Sequence, residues 1–393
     1  MTNPPFGAGS FVFSLPLPTV RFVKSSGRFD VVVVGCGAAG SAAAWRCARR
    51  GLQVLAIDRF EPGHRRGSSH GTERIVRLGH TDPAYVEMAI AALAGWAELE
   101  AAAHLSLLSR TGALDFGSAD EIEQIAQVTS ASGLQVELLD EAAMRQRFPA
   151  LTVTGSALFQ PDGGTVHADR ALSVLRNLAQ AAGAQMRSVE EVLAVEQLDE
   201  GVSVRTATHR WEASTAIVTT GAWAPALLAG IVELPEYRVT QEQLAFFYPR
   251  ERLVLPAFIS RTHPRRYGMV TPEGLLKVAE HHTGPVVHPD QRTYEIEPTS
   301  WDRLGEWVRA TLPGVDSVPV DSATCLYAST PDEDFVIDRV GDVVVGVGLS
   351  GHGFKFIPEI GRRLADLAMG TGWPGNPFAV QRTPRASGES GHK

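Results

Sequence analysis

The chain has 393 residues, of which 44% are apolar and 20% charged, so it is neither disordered nor fibrous and has room for two domains. Its net charge of −8 carries no basic footprint, which argues against nucleic acid as a partner, and no apolar run reaches the roughly 20 residues of a membrane helix. Cys36, Cys47 and Cys325 cannot all pair, which points to a reducing compartment (the cytoplasm) rather than a disulfide scaffold, and leaves Cys325 free for chemistry.

Residues 1–27 read as a loose extension: FVFSLPLPTVRFV is short, holds two prolines and lacks a basic leader. Asp30 then precedes four valines, a run suited to a strand buried on both faces of a parallel sheet. Gly35, Gly37 and Gly40 follow in the order G-x-G-x-x-G, then an Ala-rich helical stretch to Gly51, a second apolar strand Val54 to Ile57, and Asp58. Each glycine has a role there: Gly35 for the tight turn, Gly37 for close approach of a pyrophosphate to a helix N-terminus, and Gly40 for helix–strand packing. Asp58 is placed to hydrogen-bond a ribose hydroxyl. With strands, helix and acid in order this is a dinucleotide fingerprint, though it does not separate NAD from FAD.

A turn-rich segment, GHRRGSSHG, runs into ERIVR, whose Arg74 and Arg77 lie three residues apart. Small residues such as Gly67, Ser68 and Ser69 suit a loop against a ligand, and a solvated basic loop is the alternative. Helices are expected near Tyr85 to Glu100, Asp120 to Ser132, Asp169 to Ala182 and Trp301 to Thr311, with a turn at Pro161–Gly164. Strands are expected at Gly201–Thr206, at Trp211–Glu212 and again from Ala216, and an inserted antiparallel lobe from about Ile231 to Pro319 contains GLLKVAEHHTG. The strand pair DFVIDRV and DVVVGVG then leads to Ser350-Gly-His-Gly-Phe-Lys-Phe356, a glycine turn carrying His352 and Lys355. A second ligand-facing loop and a structural His with a solvated Lys are both open there.

Together VVVVGCGAAG, GSSHGTERIVR, PDGGTVHADRAL, VTTGAWAP, GLLKVAEHH, CLYASTPDEDFVID and GLSGHGFKF resemble the monomeric sarcosine oxidase and N-methyltryptophan oxidase family, flavoproteins of the glycine and D-amino acid oxidase superfamily. The resemblance runs from about Arg28 to Phe378 and selects FAD. It implies an α/β protein: a Rossmann-type FAD-binding domain with an inserted, mainly antiparallel-sheet substrate (catalytic) domain. The expected division is 28–110, 151–228 and 320–380 for FAD, 111–150 and 229–319 for substrate, and a mobile tail at 381–393.

Carried over by position, the resemblance makes Cys325 the thioether link to FAD and sets Arg74 over one face of the flavin, with His70 near the same edge. Ser68 lies with them in the cofactor-contacting loop. Asp58 binds the ribose, and Gly351, Gly353 and Lys355 form the loop against the pyrimidine end. Arg77 and Lys355 bind a substrate carboxylate, where two cations and a bidentate guanidinium make physical sense. Tyr327, His352 and His281 shape the pocket, and Lys277 activates oxygen, since a preplaced cation stabilises charge as it forms. No metal is expected. Three departures stand out: Arg266 in place of an aromatic residue, Leu349 in place of Phe, and Ala328 in place of Thr. Arg266, as an extra cation, would suit a substrate with a second acidic group or else face solvent.

The expectation is an FAD-dependent oxidase of secondary amines, either N-methyl or cyclic amino acids, making an imine and passing electrons to O2 to give H2O2. Its partners are a small amine and O2, and the chain is expected to be monomeric. The alternatives are a biosynthetic tailoring oxidase or dehydrogenase on a larger or cyclic imino acid, and a flavin-binding protein without turnover.

Overall fold

The computed structural model describes residues 24–382. The expected tail from 383 onward, and residues 1–23 of the expected extension, lie outside the described residues. The first strand, Lys24–Val34, begins inside the stretch read as a loose extension, because Lys24 and Ser25 already pair with His209 and Arg210.

That strand is the centre of the first sheet, with Val54–Ile57 parallel on one side and His209–Val218 parallel on the other. The sequence suggested two strands in the 211–220 region, but the chain forms one. Its first half alternates buried and exposed residues where Val202–Thr206 pairs antiparallel, and its second half is buried throughout where Val343–Val347 pairs parallel. One strand therefore shows two patterns, set by whether one face or both are covered. The helix Ala38–Ala48 follows the glycine turn and packs against Ile357–Ala368 and Ala168–Ala181, burying Trp45 and a row of alanines.

The second sheet has eight strands, in the order 321–329, 238–247, 276–280, 266–270, 257–260, 113–117, 156–160, 137–139. It is antiparallel except where Ala257–Ser260 runs parallel to Ala113–Gly117. The helix Pro298–Thr311 covers one face, over Phe247, Phe258 and Val278. Two elements differ from the expected division. Ser156–Gln160 and Asp321–Ser329, which carries Cys325 and Tyr327, were expected in the FAD-binding part but pair in the second sheet. The strand 321–329 takes the edge beside Arg238–Phe247, and so brings Cys325 to the boundary between the sheets. A small sheet of Glu73–Val76, Gly164–His167 and Leu108–Ser109 lies between them in the chain's path.

Candidate active site

A single elongated cavity of about 500 Å3 runs from the glycine turn to the substrate-sheet strands. At its first end the backbone does the work. Gly35 has φ +92°, its N–H donates to Ile57 O at 2.8 Å, and its carbonyl accepts from Thr219 Oγ1 at 2.8 Å. A Cβ on Gly40 would sit 1.9 Å from Gly35 O, so only glycine lets the helix approach the strand. Gly37 is the N-cap of Ala38–Ala48 and gives no side-chain cap; the Ala38 N–H donates to Ser69 Oγ at 3.1 Å, and Gly37, Ala38 and Ala39 line the cavity. Asp58 accepts from the N–H groups of Cys36 at 2.6 Å and Phe60 at 2.8 Å. A carboxylate has about four acceptor positions, so it keeps capacity for a hydroxyl.

The middle of the cavity is lined by Ser68, Arg74, Cys325 and Tyr327. Ser68 Oγ donates to Leu326 O, fastening the GSSHG loop to the strand 321–329. Arg74 donates to the carbonyls of Glu73, Ser68 and His70 and lies 5.6 Å over Phe354. These bonds fix a half-buried guanidinium on backbone carbonyls, leaving its charge for the cavity. His70 is held beside Arg74 but its residue is not part of the cavity lining, and burial and the Arg74 charge push its pKa down to about 3. Its ring is therefore neutral at physiological pH. Burial pushes the Cys325 thiol up, and Arg74 is the largest charge opposing that shift.

At the far end are Lys277, His281, Tyr327, His352, Lys355 and Arg77. Arg77 follows the strand Glu73–Val76 and donates to Gly79 O. Its loop is pinned by Gln160, whose Oε1 accepts from the N–H groups of Leu78 and Gly79, each at 2.7 Å. Gln160 in turn donates to Asp115, which is paired with Arg261 at 2.8 Å. Lys355 Nζ donates to His352 O at 2.8 Å, and Trp96 Nε1 donates to Lys355 O at 2.8 Å. His352 Nε2 lies 3.1 Å from Glu333 O. Gly351, at φ +76°, lies against Tyr327: a Cβ there would be 2.2 Å from the ring. Gly353 is similarly closed in by Leu349 at 2.6 Å.

His281 Nδ1 and Tyr327 Oη are 3.2 Å apart, and burial holds the Tyr327 phenol far above its ordinary range, so it acts as a neutral hydroxyl. Lys277 Nζ donates to Glu73 O at 3.0 Å, and burial, with Arg74 as the next cause, pushes its pKa down to about 7. Residues not singled out from sequence also line this end: Glu73, Tyr267, Met269 and Arg261. Alternation could have found Tyr267 and Met269, since Met269 pairs with Lys277 and lies two residues from Tyr267.

Arg266 also lines the cavity, but its guanidinium is engaged by a carboxylate of the fold. It pairs in register with Glu280, its Nη2 lies 2.9 Å from Glu280 Oε1, and its guanidinium sits 5.7 Å over Trp307 of the covering helix. Arg266 is three residues from Met269, so the pleat directs the two to opposite faces.

The fold and this cavity define a dinucleotide-binding oxidoreductase with an α/β cofactor part and an antiparallel substrate sheet. Residues 30–367 match the family described as DAO, FAD dependent oxidoreductase. The chain is 32% identical to a monomeric sarcosine oxidase of Streptomyces avermitilis, over 90% of this chain and 97% of that protein. It is 31% identical to an N-methyl-L-tryptophan oxidase of Salmonella arizonae, over 87% and 95%. The solved structure of NikD, an unusual amino acid oxidase essential for nikkomycin biosynthesis, superposes with a TM-score of 0.80 at 28% identity, covering 90% of this chain and 98% of that one. The chain belongs to the FAD-dependent oxidoreductase family that includes these amine oxidases.

Proposed function

We propose that the chain is an FAD-dependent oxidase of secondary amines that takes N-methyl or cyclic α-amino acids. The observation that carries this reading is the pair Arg77 and Lys355, each 6% exposed, both lining the cavity that begins at the glycine turn. Two cations on the wall of one cavity suit a substrate carboxylate, which a guanidinium can bind through two parallel hydrogen bonds. FAD, when bound, accepts the electron pair of the C–H bond next to nitrogen and passes it to O2, giving H2O2.

The residues divide the remaining work. Asp58, the glycine turn and Ser68 hold the dinucleotide, and Arg74 gives its redox-active end a fixed positive neighbour. Cys325 is the point of covalent attachment, where a thiolate is needed and Arg74 is the charge that favours it. Arg77 and Lys355 anchor the carboxylate, while the neutral Tyr327 phenol and His281, bonded to each other, orient the amine. His352, through Glu333, fixes the loop from which Lys355 projects. The oxidised product is an imine, and addition of water breaks its C–N bond to release a carbonyl compound and an amine. Lys277, buried and charged below about pH 7, stands where it stabilises negative charge developing on dioxygen. We read the protein as a cytoplasmic monomer: the first property follows from its cysteine usage, the second from its similarity to monomeric sarcosine oxidase. The likeness to NikD favours a second reading, a tailoring oxidase of a cyclic imino acid.

Anaerobic bleaching of the bound flavin by sarcosine, N-methyl aromatic amino acids, proline, pipecolate and D-amino acids separates these readings. Bleaching by a secondary amino acid is the expected result. A flavin that dithionite reduces but none of these amines bleaches would overturn the sarcosine-like reading. Acid precipitation of the same protein reads the linkage: colour should stay in the pellet and leave it in Cys325→Ser. Colour retained in that variant would remove Cys325 from its role.

A further inference from the structure

Glu73 is the one acid of the strand 73–76, and the sequence reading gave it no role. It is 3% exposed and lines the cavity, and beyond the neighbouring Thr72 side chain its carboxylate has no hydrogen-bond partner among the described residues. Its backbone carbonyl accepts from Lys277 Nζ at 3.0 Å, so the lysine is docked on the residue that bears the carboxylate. A buried acid with so few donors is costly unless a cation stands near it. A buried lysine beside Arg74 has the reverse problem, since burial and a like charge both favour loss of its proton. Each group supplies what the other lacks.

We propose that Glu73 is a positioning residue for the oxygen half-reaction, its carboxylate holding Lys277 in the ammonium form. The proposal rests on the oxygen role given to Lys277 above. Dioxygen takes two electrons from the reduced cofactor and two protons to become H2O2, and the first electron creates negative charge that only a charged lysine stabilises. Burial is the largest influence on Lys277; of four charged or ionisable neighbours, Arg74 opposes its charge, and Cys325, Glu73 and Asp169 favour it in that order. Of these, Glu73 is the residue whose backbone holds the amine. Burial, the largest influence, raises the pKa of Glu73, with Glu273 adding to it, while Thr72, Lys277 and His167 favour the carboxylate.

The test is stopped-flow reoxidation of the dithionite-reduced holoenzyme by dissolved oxygen across pH, for wild type, Glu73→Gln, Glu73→Asp and Lys277→Met. Wild-type reoxidation is expected to slow as pH rises through the lysine's titration, and Lys277→Met to be slow with that limb gone. Glu73→Gln should move the limb down by about one pH unit, the lower end of what a close opposite charge contributes, making reoxidation about tenfold slower above the limb. Bleaching by substrate should change less than about twofold, and Glu73→Asp should stay near wild type. A readout without turnover is the pH titration of the oxidised flavin's visible absorption. Its Lys277-dependent transition should move down in Glu73→Gln. Glu73→Met is a second neutral variant, so the result does not hang on one protein folding. A limb unmoved in a neutral variant with full flavin content overturns the role of Glu73 and leaves that of Lys277 intact. Reoxidation of Lys277→Met at the wild-type rate overturns both.

Discussion

The two ends of the cavity are held by different means. At the glycine turn, shape is set by backbone: Gly35 at positive φ, Gly40 under Gly35 O, and the helix N-terminus at Gly37. At the substrate end it is set by buried charge: Arg77, Lys277, Lys355 and Glu73 are all 6% exposed or less. Backbone geometry is local, and so the first end sits in one continuous stretch of sequence. Charge needs compensation from elsewhere, and the second end is drawn from strands 73–76, 276–280 and 321–329 and the 351–355 loop, far apart in the chain. The first end fails by steric exclusion, all at once. The second fails by degrees.

The sharpest way to break the first end is Gly40→Val. A Cβ at 1.9 Å from Gly35 O must separate helix from strand, and with them the N–H groups at the turn. The variant is expected to lose essentially all bound flavin, read as the ratio of visible to ultraviolet absorbance, with Lys277 and Arg77 untouched. Normal flavin content would show that the turn is not the cofactor's anchor. At the other end, Arg77→Gln should leave flavin content unchanged and weaken the substrate. Removing one partner of a buried ion pair costs about 2–5 kcal/mol, so kcat/KM should fall by roughly 100-fold or more, mainly through KM. An amine lacking the carboxylate should lose far less, and equal losses would place Arg77 outside the substrate site.

This contrast also explains how much the sequence disclosed. The strand, turn, helix and acid from Asp30 to Asp58 are legible because each residue's reason lies within a few neighbours. Apolar alternation reveals a strand but not its partner, so Ser156–Gln160 and Asp321–Ser329 were expected in the sheet on the wrong side of the boundary. The change of pattern within His209–Val218 hid a single strand, because partner strands, not its own residues, decide which face is covered. Resemblance named Lys277, Arg77 and Lys355, but not Glu73. A lone acid between Thr72 and Arg74 looks like surface until the fold buries it. His70 sits beside Arg74 as expected, yet apart from the cavity wall.

Arg266 tests whether buried charge near the cavity acts on substrate or only on the fold. From sequence it was a candidate for a second acidic group of the substrate, but its guanidinium serves Glu280, which also accepts from Arg303 at 2.8 Å. Arg266→Gln removes one of two cations from a carboxylate that is 1% exposed. Because Arg303 remains, the loss should be that of one charged hydrogen bond, about 1–3 kcal/mol, and thermal unfolding should begin a few degrees lower. Kinetics should scarcely respond: KM for a monocarboxylic and a dicarboxylic secondary amine should each change less than about threefold. A selective loss of the dicarboxylic substrate would show that Arg266, which lines the cavity, acts on substrate as well as on Glu280. A drop in stability with unchanged selectivity would mean that Arg266 serves the fold through its ion pair with Glu280, although it lies on the cavity wall with Tyr267, Met269 and Lys277.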